Sequence, residues 1–203
     1  MSRLYLIANS YGRFHSELGI AGGGSSSPSC EACAYPVTSP PAILKYFWDT
    51  GFGSPDRAIR DQHDIFWCEF AILASAASVD RALSADVSVE AVPADCVASD
   101  EAASRYGIRK HHYDLPLMWL RPLIKIDVAG TRYPICRKCG KFGDEAWRVT
   151  RLEVRRRDLP RHGVFQITQN RGFPSFVTEE GRNAIVQTGL RGVSFYPAGR
   201  VID

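Results

Sequence analysis

The chain has 203 residues, 45% of them apolar and 23% charged, which suits a folded unit with its own core and excludes a low-complexity or disordered chain. Its N-terminal apolar run, Leu4 to Ala8, is shorter than the roughly 7–15 residues of a secretory core or the about 20 of a membrane span, so a cytoplasmic protein is expected. The net charge of +3 is unevenly spread: residues 1–130 hold 11 Lys/Arg against 15 Asp/Glu, and residues 131–203 hold 14 against 7. That asymmetry fits an acidic partner or nucleic acid, and equally a basic lobe facing an acidic neighbouring one.

In chain order, SRLYLIANS reads as a short opening strand. Residues 20–41 are dense in Gly, Ser and Pro and read as a loop. Residues 42–50 suggest one or two helical turns stopped by Gly51, and DIFWCEF (64–70) a strand. AILASAASVDRALSAD reads as an Ala-rich helix and VSVEAV as an alternating strand. A helix from Ser99 to Tyr106 is expected, with Ser99 as N-cap and Gly107 near its stop. LPLMWLRPLIKIDV is extended, but Pro122 limits it to an edge or to two short strands. EAWRVTRLEVR alternates with one phase slip, which predicts a bulge near Thr150. GVFQI, PSFV and GVSFYP follow as apolar strands. Between the last two lies a helix from Thr178 to Thr188, capped by Thr178, with Glu179 and Glu180 at the positive end of its dipole and Gly189 closing it.

Four of the six cysteines form two Cys-x-x-Cys pairs, Cys30/Cys33 and Cys136/Cys139, separated by 102 residues. In a cytoplasmic chain such pairs point to thiols or metal ligands rather than disulfides. A redox pair needs its first thiol at a helix N-terminus, and neither context offers one: Cys30 follows a Gly/Ser run, and Gly140 follows Cys139. A zinc deaminase arrangement is suggested by His15-Ser16-Glu17 ahead of Cys30 and Cys33. However, the 12 residues between Glu17 and Cys30 are too few for the strand that must separate the two ligand helices. Joining the pairs accounts for all four thiols. Two tight turns supply four thiolates to one tetrahedral Zn²⁺, and their backbone N–H groups point at the sulfurs. Loop-closure entropy grows only logarithmically, so the long insert is no obstacle. Such a site is closed and structural, with Cys30, Cys33, Cys136 and Cys139 as the metal ligands.

Cys68 and Cys96 read as buried inert thiols, and His15, His63, His111, His112 and His162 as surface or satisfied core residues. Phosphate-loop, nucleophile-elbow and zincin motifs are missing, and no catalytic residue or organic cofactor is assigned. RLEVRRRDLPRH (151–162) is basic enough for a nucleic-acid stripe but lacks interleaved aromatics. On a strand it would put Arg155 and Arg157 on one face and Arg156 on the other.

Cys30, Cys33, Cys136, Cys139 and Gly140, with the closing FPSFVTEEGRNAIVQTGLRGVSFYP, resemble the bacterial double-CXXCG immunity proteins. The outline spans most of the chain, and the second motif and the C-terminal quarter match most closely. The first motif departs, with Ala34 in place of glycine. The resemblance implies a protein that protects its producer by binding one cognate toxin protein, and so a surface that works by occlusion. The expected fold is α+β: mixed or antiparallel sheets and a few short helices, pinned by a four-cysteine, zinc-ribbon-like site. The expected organisation is one compact unit over 1–203, or two close lobes over 1–130 and 131–203. The expected partner is a toxin; a zinc-ribbon nucleic-acid adaptor is the alternative, an enzyme of unrecognised type the third reading, and no membrane partner is expected. Acidic residues within 56–64 and 95–101, or the basic 151–162 segment, are the candidate contact faces.

Overall fold

A computed structural model of the chain describes residues 2–9, 18–20, 29–34, 43–48, 64–68, 71–96, 117–128, 135–142, 152–160, 162–170 and 174–203. The fold is mixed α+β, with two sheets and two α-helices among the described residues.

The first sheet is built around β1 (Arg3–Asn9), whose Leu4 and Tyr5 are both buried, so that it needs cover on both faces. It lies antiparallel between β12 (Ser175–Thr178) and β13 (Val193–Ile202). β11 (Val164–Ile167) continues beyond β12, and β9 (Ile124–Ile126) and β10 (Leu152–Arg155) add parallel strands at the two edges. β10 approaches β13 so closely that a Cβ at Gly199 would lie 2.1 Å from the Leu152 carbonyl oxygen. Only glycine fits there.

The second sheet runs β6 (Val89–Pro93), β8 (Leu117–Pro122), β5 (Ala71–Ser75), β4 (Ile65–Cys68), β2 (Leu18–Ile20), β3 (Lys45–Trp48) and β7 (Asp95–Cys96). Its two edge strands, β6 and β7, are separated in sequence by Ala94 alone. One continuous segment therefore pairs with β8 at one end and with β3 at the other, which curls the sheet into a barrel. Ala94 N–H donates to Leu117 O at 3.2 Å, and Asp95 N–H to Leu44 O at 2.9 Å, stitching the seam.

Strand alternation sorts the side chains into three layers. Leu44, Tyr46, Phe66, Leu73, Leu117 and Trp119 fill the barrel. Ile65, Ile72, Ala74 and Leu120, from the same strands, point outward and meet Tyr5, Ile7, Val164 and Val177 of the first sheet. The far face of that sheet carries Leu4, Phe165, Phe176 and Val201, covered by Ile135, Phe142 and Leu159.

The closing unit forms as its capping residues dictate. α2 (Glu179–Gln187) begins where Gly181 N–H donates to Thr178 Oγ1 at 3.1 Å, and it ends before Gly189, at φ 67°. LPLMWLRPLIKIDV splits into two strands, as its proline predicts: β8 ends at Pro122 and β9 joins the other sheet. β8 is internal, paired on both sides.

Two expectations are corrected. Residues 45–48, expected within a helical segment, form β3, because Tyr46 is fully buried inside the barrel and β3 pairs with β2 and β7. The Ala-rich segment is helical only as α1 (Ala76–Ser84); Ala71–Ser75 is a strand between β4 and β8. Ala71 to Ala74 are all buried, so no alternation marks them as a strand. The expected Ser99–Tyr106 helix and the bulge near Thr150 lie outside the described residues.

Candidate metal centre

Each Cys-x-x-Cys forms a tight turn. In the first, the N–H groups of Cys33 and Ala34 donate to Cys30 O at 3.2 and 2.7 Å. In the second, Gly140 N–H donates to Cys136 O at 2.8 Å. The residue after each pair takes the left-handed backbone, Ala34 at φ 58° and Gly140 at φ 68°. The two turns are thus the same knuckle built twice, and Ala34 occupies the conformation that favours glycine. Ala34→Gly is expected to stabilise the fold by about 0.5–1 kcal/mol and Gly140→Ala to cost about 1 kcal/mol, since open space surrounds the Gly140 Cβ position and only backbone strain is at stake. Thermal unfolding of both variants checks this; a destabilised Ala34→Gly would refute the equivalence.

The knuckles face each other. The four Sγ atoms of Cys30, Cys33, Cys136 and Cys139 all lie within 4.8 Å of one another. Across the knuckles Cys30 Sγ is 3.9 Å from Cys136 Sγ, and Cys33 Sγ is 3.8 Å from Cys139 Sγ. A disulfide requires about 2.05 Å. Four sulfurs bound at about 2.3 Å to one tetrahedral ion sit about 3.8 Å apart. The donor set and its spacing therefore fit one divalent, thiophilic metal ion, and all four predicted ligands come together.

The local electrostatics fit the same use. Hydrogen bonds from the Cys139 and Lys138 N–H groups hold the Cys136 thiol below its ordinary pKa. Cys139 accepts from the Lys141 N–H, but desolvation and the sulfurs of Cys136, Cys30 and Cys33 outweigh that bond and push its thiol up to about 11. Neighbouring thiols resist ionising together, and a bound cation lifts that resistance.

Among the described residues, the fold supports the two knuckles unequally. The second is rooted in the far-face core: Phe142 is 1% exposed and bridges Ile135. Phe142 N–H donates to Gln169 O at 2.8 Å, and Lys141 Nζ to Thr168 O at 2.7 Å. Gln169 is itself buried, with its Oε1 accepting from Val128 N–H at 3.1 Å and its amide donating to Asp127. The first knuckle meets the second through the sulfurs and an exposed Glu31–Lys138 ion pair.

No family model matches the chain, and no curated protein matches it.

The remaining candidates separate. Cys96 is half-buried and packs against the barrel core. His15, Glu17, His63, His111 and His112 lie outside the described residues. The basic segment departs from the strand expectation: β10 ends at Arg155, and Arg156–Asp158 is a 3-10 turn, leaving Arg155, Arg156 and Arg157 all exposed. Arg156 lies 3.8 Å from Glu180, and Arg157 3.8 Å from Asp158. Asp64, counted among the acidic contact candidates, is 4% exposed and belongs to the interior. Among the described residues, no helix is long and apolar enough to cross a membrane.

Proposed function

We propose that the chain is an immunity protein that neutralises a cognate bacterial toxin by stoichiometric binding in the cytoplasm, and that a structural zinc ion at Cys30, Cys33, Cys136 and Cys139 holds its shape. The observation that carries this reading is the matched pair of knuckles. Ala34 has the backbone conformation of Gly140, so the departure from the double-CXXCG pattern is one of side chain and not of geometry. The spacing of the four sulfurs suits zinc with four thiolates.

A four-thiolate ion has no open position for a substrate, so the centre builds the fold and leaves function to the surface. There, a few buried aromatic or arginine anchors set affinity, and charge complementarity sets on-rate and partner choice. Of the basic residues of the second knuckle, Lys138 pairs with Glu31 and Lys141 Nζ donates to Thr168 O. These two lysines therefore need no nucleic-acid partner to account for them.

Co-expression with the product of the gene immediately upstream is expected to rescue growth, and the two purified proteins to form a one-to-one complex. A chain that forms no such complex, but retards DNA with an affinity falling steeply in salt, would replace this reading by a zinc-ribbon nucleic-acid adaptor.

A further inference from the structure

The sulfur geometry carries a consequence for oxidation. We infer that the centre is an oxidation-convertible clasp: a peroxide turns the four metal-bound thiolates into two disulfides across the knuckles, Cys30–Cys136 and Cys33–Cys139, and expels the ion with the knuckles still joined. This rests on the metal reading above and adds to it a second covalent state of the same four residues.

Three observations support the pairing. The cross-knuckle sulfurs are 3.9 and 3.8 Å apart, so each needs to move only about 0.9 Å to reach the about 2.05 Å of a disulfide. Both pairs join residues 106 apart in sequence, in the same register, so the two bonds form side by side without shifting one knuckle along the other. The Glu31–Lys138 ion pair spans the same gap and sets the two turns face to face in that register. Access is also provided: Cys33, Cys136 and Cys139 are half-exposed, while Cys30 is buried. Cys96 packs with the barrel core and is no part of the cluster.

The chemistry balances with hydrogen peroxide as the oxidant. A thiolate sulfur attacks one peroxide oxygen, the O–O bond breaks, and a sulfenic acid and, after protonation, water result. The facing thiolate attacks the sulfenic sulfur, the S–S bond forms, and hydroxide leaves and is protonated to water. Two peroxides thus oxidise four thiolates by four electrons, take up four protons, and yield two disulfides, four waters and one free divalent ion.

The test uses the full chain loaded with zinc, its metal content first measured by elemental analysis. Hydrogen peroxide is titrated in while a chromogenic chelator reads zinc release, and non-reducing digestion with mass spectrometry maps the bonds. The expected result is release of the zinc at about two peroxides per ion, with peptides cross-linked 30–136 and 33–139. Dithiothreitol and zinc should reverse it. Disulfides mainly within each pair, 30–33 and 136–139, would overturn the inference, as would passage to sulfinic acid or retention of zinc. A second protein, Cys33→Ser with Cys139→Ser, separates the two readings. Without a complete ligand set it should still form the 30–136 bond, and its failure to do so would also overturn the inference. A wild-type chain that takes up no zinc defeats the metal reading alone, because the bond map of the metal-free thiols still decides the pairing.

Discussion

Replacing Cys136 by serine is expected to abolish binding of the zinc proposed for the four-cysteine centre and lower the thermal midpoint by roughly 8–16 °C, and Cys30→Ser to do the same. The size follows from linkage. An ion that binds only the folded chain stabilises it by about 4 kcal/mol when its free concentration is about 1,000 times its dissociation constant. In a chain of 203 residues each kcal/mol moves the midpoint by roughly 2–4 °C. Loss of any one thiolate opens the tetrahedron, so both variants should fall from about one zinc per chain to near zero. A Cys30→Ser protein that kept its full zinc and stability would rule out the joint site.

The local response should be lopsided. The second knuckle keeps Phe142 in the far-face core, and a fully buried phenylalanine contributes roughly 2 kcal/mol. Among the described residues, the first knuckle has the buried Cys30 and the exposed Glu31–Lys138 pair, which contributes under about 1 kcal/mol. Removing the zinc should therefore speed amide exchange over 29–34 far more than over 135–142. Equal protection in both segments would mean that the metal is not what holds the first knuckle.

The four-cysteine cluster was readable before the fold because its signal is local. A two-residue spacing between thiols brings both to one turn, and two such turns fill one tetrahedron however much chain lies between them. The α2 unit was readable for a similar reason, since Thr178, the two glutamates and Gly189 each act within a turn or two. β5 was not: Ala71 to Ala74 are buried on both faces, which removes the alternation that marks a strand, and the alanines look helical. Closure of the barrel escaped because it depends on one short segment pairing with two strands distant in sequence. Asp64 escaped for the same reason. Nothing within DIFWCEF says what would receive a buried carboxylate, because its partners lie on α1 and beyond α2.

That carboxylate carries the second large expectation. Asp64 stands at the head of β4, where Oδ1 accepts from Ser78 Oγ at 2.8 Å and from the Arg81 guanidinium. Oδ2 accepts from Arg191 N–H at 2.9 Å, with Arg191 Nε 3.5 Å away, and the N–H groups of Asp64 and Ile65 donate back to Arg191 O. One side chain thus ties the barrel, α1 and the turn into β13 together. Asp64→Ala is expected to cost about 3 kcal/mol. Most of that comes from the Ser78 hydroxyl and the Arg191 N–H losing their acceptor, because both arginine side chains are about half exposed and rehydrate. Arg81→Ala should accordingly cost less than about 1 kcal/mol. Asp64→Asn keeps the shape but turns an amide toward one donor, for a loss of about 2 kcal/mol at neutral pH.

The pH dependence has a definite sign. Burial alone raises the Asp64 pKa, but the Arg191 N–H, the Ser78 hydroxyl and the Arg81 charge together take it below the ordinary 3.8. A depressed carboxylate contributes its full stability above the unfolded value, about pH 4, and loses it as pH falls through the lower folded value. Urea unfolding of wild type and Asp64→Asn should therefore differ most near pH 7 and converge below about pH 4. A gap that stayed constant as pH fell well below 4, past the folded value, would show that the amide disrupts packing and that the charge of Asp64 contributes nothing.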